Sequence, residues 1–135
     1  MCCLFCDILD GKKEGHFLYE DDSHVAFLDK YPIDFGHSLI LPRKHYEKIT
    51  DMTAEDVGTI FSLVPKIAKA ILDATGADAF SIGQNNGRAA KQIIPHVHIH
   101  LIPRYNNKGT VWTKRQISNH DDLSELAKKI RSFLT

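Results

Sequence analysis

Hydrophobic and polar residues alternate along five short stretches of the chain, and this alternation predicts five β-strands. Alternate residues of a strand point to opposite faces, so a period of two indicates a sheet with one face toward a core. Valine, isoleucine and phenylalanine in these stretches also favour extended backbone. The predicted strands cover His16–Glu20, His24–Asp29, His37–Leu41, Ala79–Gln84 and His96–Ile102.

A longer stretch repeats its apolar residues every three or four positions, which is typical of a helix with one buried face. We predict that this helix begins at Thr53, with Asp56 completing a capping-box-like start, and that it ends at Gly76. Pro65 lies inside it, so a kink is expected there. The apolar stripe consists of Val57, Ile60, Phe61, Val64, Ile67, Ala68, Ile71 and Leu72.

Two further helical segments are predicted near the ends of the chain. Residues 5–9 can form a short helical turn that Gly11 stops, and Asp122 with Glu125 can cap a last helix. The core stripe of this last helix consists of Leu123, Leu126, Ala127, Ile130 and Phe133. Strands and helices do not alternate as parallel crossover units. We therefore expect an α+β fold, a five-stranded antiparallel sheet with the long helix and the C-terminal helix on one side.

Length, charge and cysteine content narrow the class of protein. The 135 residues are expected to form a single domain, residues 1–135, that buries a core unaided. The 17 Lys and Arg residues balance 17 Asp and Glu residues, which argues against a general nucleic-acid binder. No apolar run approaches ~20 residues, so no membrane span is expected, and the N-terminus shows no secretory signal. Three cysteines cannot form a disulfide scaffold for this length, which favours a reducing, cytoplasmic compartment.

Three histidines alternate with β-branched residues at His96, His98 and His100. On a strand, same-face positions lie about 6–7 Å apart, so the three rings could surround one small anion or one metal ion. Three interpretations follow: a metal site, a phosphate site with a histidine nucleophile, or a solvated strand face. His98 has an imidazole on either side on that face, which makes it the best-surrounded candidate for chemistry.

The residues around this cluster resemble a known family. The stretch Asn85-Asn86-Gly87, followed by the run from Gln92 to Arg104, is similar to the histidine triad (HIT) family of nucleotide hydrolases and transferases. The likeness extends from about Cys3 and includes residues 36–45. One departure stands out: the family often has Gly immediately before the glutamine, where this chain has Lys91. A small residue there eases close approach of the backbone to phosphate, so Lys91 either narrows that approach or adds a positive charge.

The resemblance implies a mechanism and its residues. The middle histidine, His98, would be the covalent nucleophile of a nucleotidyl-histidine intermediate that water then hydrolyses, releasing a nucleoside monophosphate. His100 would contact the phosphate and assist proton transfer. The resemblance makes the catalytic candidates His96, His98, His100 and Gln92. The activity that the resemblance implies is that of a nucleotide hydrolase. Its substrate would be a purine dinucleoside polyphosphate, a nucleoside phosphoramidate or an aminoacyl adenylate.

The same resemblance implies a set of substrate-binding residues. Asn85 and Gln92 would hold phosphate oxygens or the leaving group, although both could instead cap their loop. A nucleoside slot would be formed by Phe5, Ile8 and Phe27, and Asp29 would accept the ribose hydroxyls. For Phe27 the alternative is a core residue, and for Asp29 a turn residue. Alternative functions are a nucleotidyl transferase, a nucleotide-binding interaction protein with little activity, and a purely metal-binding module.

A second candidate site begins at the N-terminus. Cys3 and Cys6 form a C-x-x-C pair, a spacing that lets two thiolates bind one tetrahedral zinc ion, and His45 and His96 are available as further ligands. One branch of the family, common in prokaryotic members, binds zinc through these four positions, so the resemblance implies a structural zinc. Inert small hydrophobes or a redox pair are the alternatives, and Cys2 is an extra thiol.

The remaining histidines and the assembly complete the expectations. His16, His24 and His120 are interpreted as surface residues and His37 as structural. The resemblance implies a homodimer whose sheets join edge to edge. Independent support comes from the edge strands, because pairing two of them across a two-fold axis would satisfy their unpaired backbone groups. The alternative is a monomer whose edges are protected by charge or loops.

Overall fold

The computed structural model describes residues 3–134, and in these residues it contains five strands in one sheet. The elements in chain order are α1 (Leu4–Leu9), β1 (Phe17–Glu20), β2 (His24–Leu28), β3 (Ser38–Pro42), α2 (Ala54–Phe61), α3 (Val64–Thr75), β4 (Ala79–Gly83), β5 (Ile99–Arg104) and α4 (His120–Ser132), with short 3-10 turns at Ile49–Asp51 and Arg88–Ala90. The sheet order is β1-β2-β3-β5-β4, and every neighbouring pair is antiparallel. The predicted α+β class with a five-stranded antiparallel sheet is confirmed.

The two faces of the sheet are covered differently. Alternate residues such as Ile40, Ile99 and Leu101 pack with α3 and α4 in the main core. The opposite face packs against α1, where Phe5 and Ile8 lie in a smaller cluster; its sheet residues are Val25, Phe27, Leu39 and Leu41. The expectation of helices on one side therefore holds for the long helices only, because the short α1 closes part of the other face.

The fifth strand begins later than the alternation predicts. It starts at Ile99 rather than His96, so His96 and His98 precede the strand. The hydrogen bonds explain the shift: the β3–β5 register ends at Ile40 opposite Ile99, and the Val97 N–H instead donates to the Tyr46 carbonyl at 2.7 Å. Backbone partners from a loop replace the ladder there.

The predicted long helix is two helices. Its start at Thr53 is confirmed, since the Thr53 side chain accepts a hydrogen bond from the Asp56 N–H at 3.0 Å. A short break separates α2 from α3, and Pro65 lies in the first turn of α3. Proline lacks an N–H, so it fits a helix start better than a helix interior. Gly76 ends α3 in the left-handed conformation, with φ 71°, as predicted.

The C-terminal helix begins earlier than expected. Asn119, not Asp122, caps α4, because its side-chain oxygen accepts a hydrogen bond from the Asp122 N–H at 2.8 Å. Four of the five stripe residues are buried, but Phe133 follows the helix and is 49% exposed. No helix within residues 3–134 has the length and apolar character needed to cross a membrane.

Candidate active site and metal centre

The three clustered histidines do not surround one ligand. They lie on the sheet face that α1 covers, and Phe5 contacts the rings of both His96 and His98, with centroids 6.2 Å and 4.9 Å away. His98 and His100 line a cavity, with their ring centroids 4.8 Å apart. The His96 ring is turned toward the two cysteines. The cluster is thus divided between two adjoining sites.

The tautomer of His98 follows from its partner. Its Nδ1 lies 2.7 Å from the His96 carbonyl oxygen, which can only accept, so Nδ1 carries the hydrogen of the neutral ring. The Nε2 atom keeps its lone pair. Burial lowers the pKa of His98 below its ordinary value, which favours the neutral ring. A neutral imidazole with a free Nε2 lone pair can attack phosphorus.

A buried hydrogen-bonded chain sets the tautomer of His100. The Ile33 N–H donates to His37 Nδ1 at 2.9 Å, so the hydrogen of neutral His37 lies on Nε2. That Nε2–H donates to His100 Nδ1 at 2.8 Å, which leaves the hydrogen of His100 on its own Nε2. Burial lowers the pKa of His37 to about 2 and that of His100 to about 3; repulsion from His100 adds to the shift of His37, and repulsion from His98 and Arg115 adds to that of His100. His100 is therefore held as a neutral donor.

His37 is a site residue that the sequence interpretation assigned only a structural role. Its ring is fully buried and joins the loop before β3 to the site. A histidine directly after Gly36 at a strand start was the only signal, and it did not reveal the His100 contact.

A cavity of about 700 Å³ gathers most of the predicted substrate-binding residues. Its lining includes Phe5, Ile8, Phe27, Asp29, Asn85, His98 and His100. The Phe5 and Phe27 rings meet edge to face at 5.6 Å. Apolar walls with a few converging polar groups are typical of a small-molecule site.

Gln92 lies beside the cavity rather than in its lining. Its Oε1 accepts from the Gly87 N–H at 2.6 Å, and its Nε2 donates to the Glu47 carbonyl at 2.5 Å. Both ends of the buried amide therefore bind backbone, and in this arrangement Gln92 braces the loop that carries Lys91.

Asp29 is bound by an arginine that sequence reasoning did not identify. Arg115 Nη1 donates to Asp29 Oδ2 at 2.7 Å and to the Tyr31 carbonyl at 3.0 Å. The Tyr31 N–H donates to the other carboxylate oxygen at 2.9 Å, a turn contact. Burial raises the pKa of Asp29, although Arg115 opposes that shift. Arg115 belongs to the irregular segment between β5 and α4, where no periodicity marks any residue.

The second site brings together the four predicted metal ligands. Adjacent ligand atoms of Cys3, Cys6, His45 and His96 lie between 3.2 and 3.8 Å apart. A tetrahedral zinc ion with bonds of about 2.0–2.3 Å separates its ligand atoms by roughly 3.3–3.8 Å. The donor set of two sulfurs and two nitrogens therefore fits zinc. Cys2 lies outside the described residues.

His96 is oriented for this role by its second nitrogen. Its Nε2 lies 2.7 Å from the Pro42 carbonyl oxygen, so Nε2 carries the hydrogen and Nδ1 presents a lone pair to the cluster. Burial raises the pKa of the Cys3 thiol to about 11; the Cys6 N–H opposes that rise, and the Cys6 thiol adds to it. A bound cation would offset that burial by stabilising the thiolate.

One of the histidines predicted to be on the surface is buried. His24 is 6% exposed, and its Nδ1 lies 3.1 Å from Asp21 Oδ1, because β2 is enclosed between β1 and β3. His16 is half-buried beside the exposed His120, with ring centroids 4.8 Å apart.

Comparisons with known proteins agree with the geometry. A family model described as HIT domain matches residues 10–107. The adenylylsulfatase HINT3 of Arabidopsis thaliana is 39% identical, covering 98% of this chain and 69% of its own length. The adenosine 5′-monophosphoramidase hnt1 of Schizosaccharomyces pombe is 36% identical, covering 98% of both chains. A zinc-bound histidine triad family protein from Mycobacterium smegmatis superimposes with a TM-score of 0.88 at 31% identity, covering 99% of this chain and 94% of that one.

Proposed function

This chain belongs to the HIT domain family, and from that premise we propose that it hydrolyses a purine nucleotide at the α-phosphate and releases a nucleoside monophosphate. The observation that carries the proposal is the His98 ring, whose Nδ1–H binds the His96 carbonyl at 2.7 Å, so that Nε2 keeps its lone pair. The names of two relatives, an adenylylsulfatase and an adenosine 5′-monophosphoramidase, describe cleavage at this kind of bond.

In the first step, His98 Nε2 attacks the α-phosphorus and a nitrogen–phosphorus bond forms. The bond from phosphorus to the leaving group breaks, and its electron pair goes to the leaving group. The ring becomes positively charged, and its Nδ1–H keeps the His96 carbonyl as acceptor. That acceptor stabilises the intermediate because a hydrogen bond from a charged donor is stronger than one from a neutral donor.

In the second step, a water molecule attacks the same phosphorus. The nitrogen–phosphorus bond breaks, its electron pair returns to His98 Nε2, the hydroxyl stays on the nucleotide and the remaining proton is released. His100 supports both steps as a neutral donor, because its Nε2–H can bind a phosphoryl oxygen while His37 holds its Nδ1. Donors that are already oriented stabilise the charge that develops on phosphoryl oxygens.

The nucleoside would occupy the apolar part of the cavity. Phe5, Ile8 and Phe27 would flank the base, and Asp29 would accept the ribose hydroxyls. Because Arg115 binds Asp29 at 2.7 Å, ribose binding would share or displace that contact. Asn85 lines the cavity, and its side-chain amide would bind either the phosphate oxygens or the leaving group.

Zinc is proposed as a structural ion held by Cys3, Cys6, His45 and His96. The fit of the four ligand atoms to a tetrahedron and the zinc-bound relative support it. When bound, the ion would supply a fixed cross-link between α1 and the segment before β5, with no part in bond cleavage.

A homodimer is proposed as the assembly. β4 is an edge strand of the sheet, and its Phe80 and Ile82 are 38% and 45% exposed. An apolar edge strand is a surface that pairing with a second copy would cover. Sedimentation tests this, since one chain has a mass of 15.3 kDa and a dimer would sediment at about twice that mass.

The experiment that tests the function compares three classes of substrate. The zinc-loaded protein is assayed for AMP release from adenylylsulfate, an adenosine 5′-phosphoramidate and a dinucleoside polyphosphate, with kcat/KM measured for each. AMP release from any of them supports the proposal. Nucleotide binding without turnover of all three would contradict it and favour an interaction protein. Formation of ADP when inorganic phosphate is added would favour a nucleotidyl transferase.

A further inference from the structure

Lys91 has a backbone conformation that lysine rarely adopts. Its φ of 65° and ψ of 32° place it in the left-handed region. Among the described residues, the only other one besides glycine with positive φ is Asn107, and asparagine adopts this region several times more readily than most residues. Backbone strain is concentrated at functional sites, so a strained residue beside a candidate active site motivates a hypothesis about its function.

The loop around Lys91 imposes this conformation. The Lys91 N–H donates to the Arg88 carbonyl at 2.8 Å, and the Gln92 N–H donates to the Gly87 carbonyl at 3.1 Å. The Gln92 amide also binds Gly87 and Glu47. The backbone on both sides of Lys91 is therefore fixed, and a glycine would fit there without strain.

Lys91 lines the same cavity as His98 and His100. Within residues 3–134 no carboxylate lies in salt-bridge distance of its ammonium group. Of the other cations in the lining, Arg115 is paired with Asp29, whereas Lys13 and Lys30 belong to the segments that follow α1 and β2, on the side of Phe27 and Asp29. Lys91 thus adds to the loop side of the cavity a positive charge that no carboxylate of the described residues neutralises.

The sheet order shows which part of a substrate would meet Lys91. β5, which leads from His98 through His100, lies between β3 and β4. The strands on one side, β3 and β2, carry Phe27 and lead to Asp29 on the nucleoside side. β4 lies on the other side and leads into the loop with Asn85 and Lys91. With the nucleoside on the β2 side, the leaving group would lie on the Lys91 side.

We propose that Lys91 makes this site selective for nucleotides whose leaving group is an anion, a sulfate or a phosphate chain, over those whose leaving group is an amine. The inference rests on the proposed function. When the bond from phosphorus to a sulfate or phosphate oxygen breaks, the electron pair becomes negative charge on that oxygen, and the ammonium group stabilises it. An amine leaving group must instead gain a proton as its bond to phosphorus breaks, and a nearby cation does not help a group that becomes neutral or positive.

The test compares Lys91→Gly with a matched control, Arg88→Gln. Arg88 belongs to the same turn and is exposed, but it lies outside the cavity lining. For each protein, kcat/KM is measured for adenylylsulfate and for an adenosine 5′-phosphoramidate. Loss of one charge-assisted contact is expected to lower the sulfate-to-phosphoramidate ratio about tenfold in Lys91→Gly. The ratio in Arg88→Gln should match the wild type.

A second measurement makes the test independent of turnover. Inorganic sulfate, assayed as an inhibitor in the presence of AMP, should bind more weakly to Lys91→Gly than to Arg88→Gln. The melting temperature of Lys91→Gly should not fall, since glycine relieves the positive φ. An unchanged ratio together with unchanged sulfate inhibition would overturn the role of Lys91. Failure of the wild-type chain to cleave either substrate would instead refute the proposed function.

Discussion

His96 and His98 are two residues apart and have opposite surroundings. In His96, Nε2 donates to the Pro42 carbonyl, so Nδ1 faces the cysteines. In His98, Nδ1 donates to the His96 carbonyl, so Nε2 keeps its lone pair beside the cavity. The backbone carbonyl that each ring binds decides which nitrogen keeps its lone pair, and that choice separates a candidate metal ligand from a candidate nucleophile.

The largest expected effect is the loss of catalytic activity when His98, the candidate nucleophile, is replaced. His98→Ala should lower kcat by at least about 10³-fold, because the nucleophile itself is lost, while zinc content stays at the wild-type level. Steady-state kinetics with nucleotide titration measures both turnover and binding, and binding should change little. His120→Gln, an exposed histidine outside the cavity lining, is the control. A His98→Ala protein with near wild-type kcat would contradict the role of His98 as the nucleophile.

The second effect concerns the metal side. Cys6→Ser or His45→Gln should remove the zinc and lower the melting temperature by at least about 10 °C, since metal binding contributes to folding free energy. Metal analysis by mass spectrometry and thermal unfolding check this, and His120→Gln should keep its zinc. A variant without zinc but with unchanged melting temperature would refute a structural ion.

A smaller effect should appear as pH dependence of stability on the catalytic side. Unfolded histidines take up protons near pH ~6.5, but folded His100 and His37 do so only near their pKa values of about 3 and about 2. The folded state then binds fewer protons than the unfolded state, so the free energy of unfolding should decrease as pH falls below about 6.5.

Thermal unfolding between pH 8 and pH 4 measures this, and the Cys6→Ser variant separates the two sites. Acid should also release the proposed zinc from the wild-type protein, but the Cys6→Ser variant should keep the part of the slope that comes from His37 and His100. A melting temperature in that variant that does not change with pH would show that these two histidines are not buried in neutral form.

Hydrophobic periodicity predicted the elements well and their ends less well. The strand pattern placed all five strands, but the start of β5 moved from His96 to Ile99, since the segment before it binds Tyr46 rather than β3. The single long helix became two around Pro65. The apolar pattern is continuous in both regions. A hydrogen-bond partner outside the sheet shortened the strand, and the N–H that proline lacks divided the helix.

The candidate site was predictable where local spacing carried the information. The C-x-x-C pair and the alternating histidines are local patterns, and the structure brings Cys3 and Cys6 together with His96. Arg115 was not predictable, because it reaches Asp29 from an irregular segment 86 residues further along the chain.

The sequence by itself determined the sheet, its core face and the presence of nucleophilic and metal-binding residue types, since these depend on periods of two and of three to four residues. Only the tertiary structure decided how the histidines share their roles. The groups that fix their rings, the carbonyls of Pro42 and His96 and the N–H of Ile33, belong to the backbone. Every residue type carries the carbonyl and every one except proline carries the N–H, so the sequence does not show which of these groups will face a given ring.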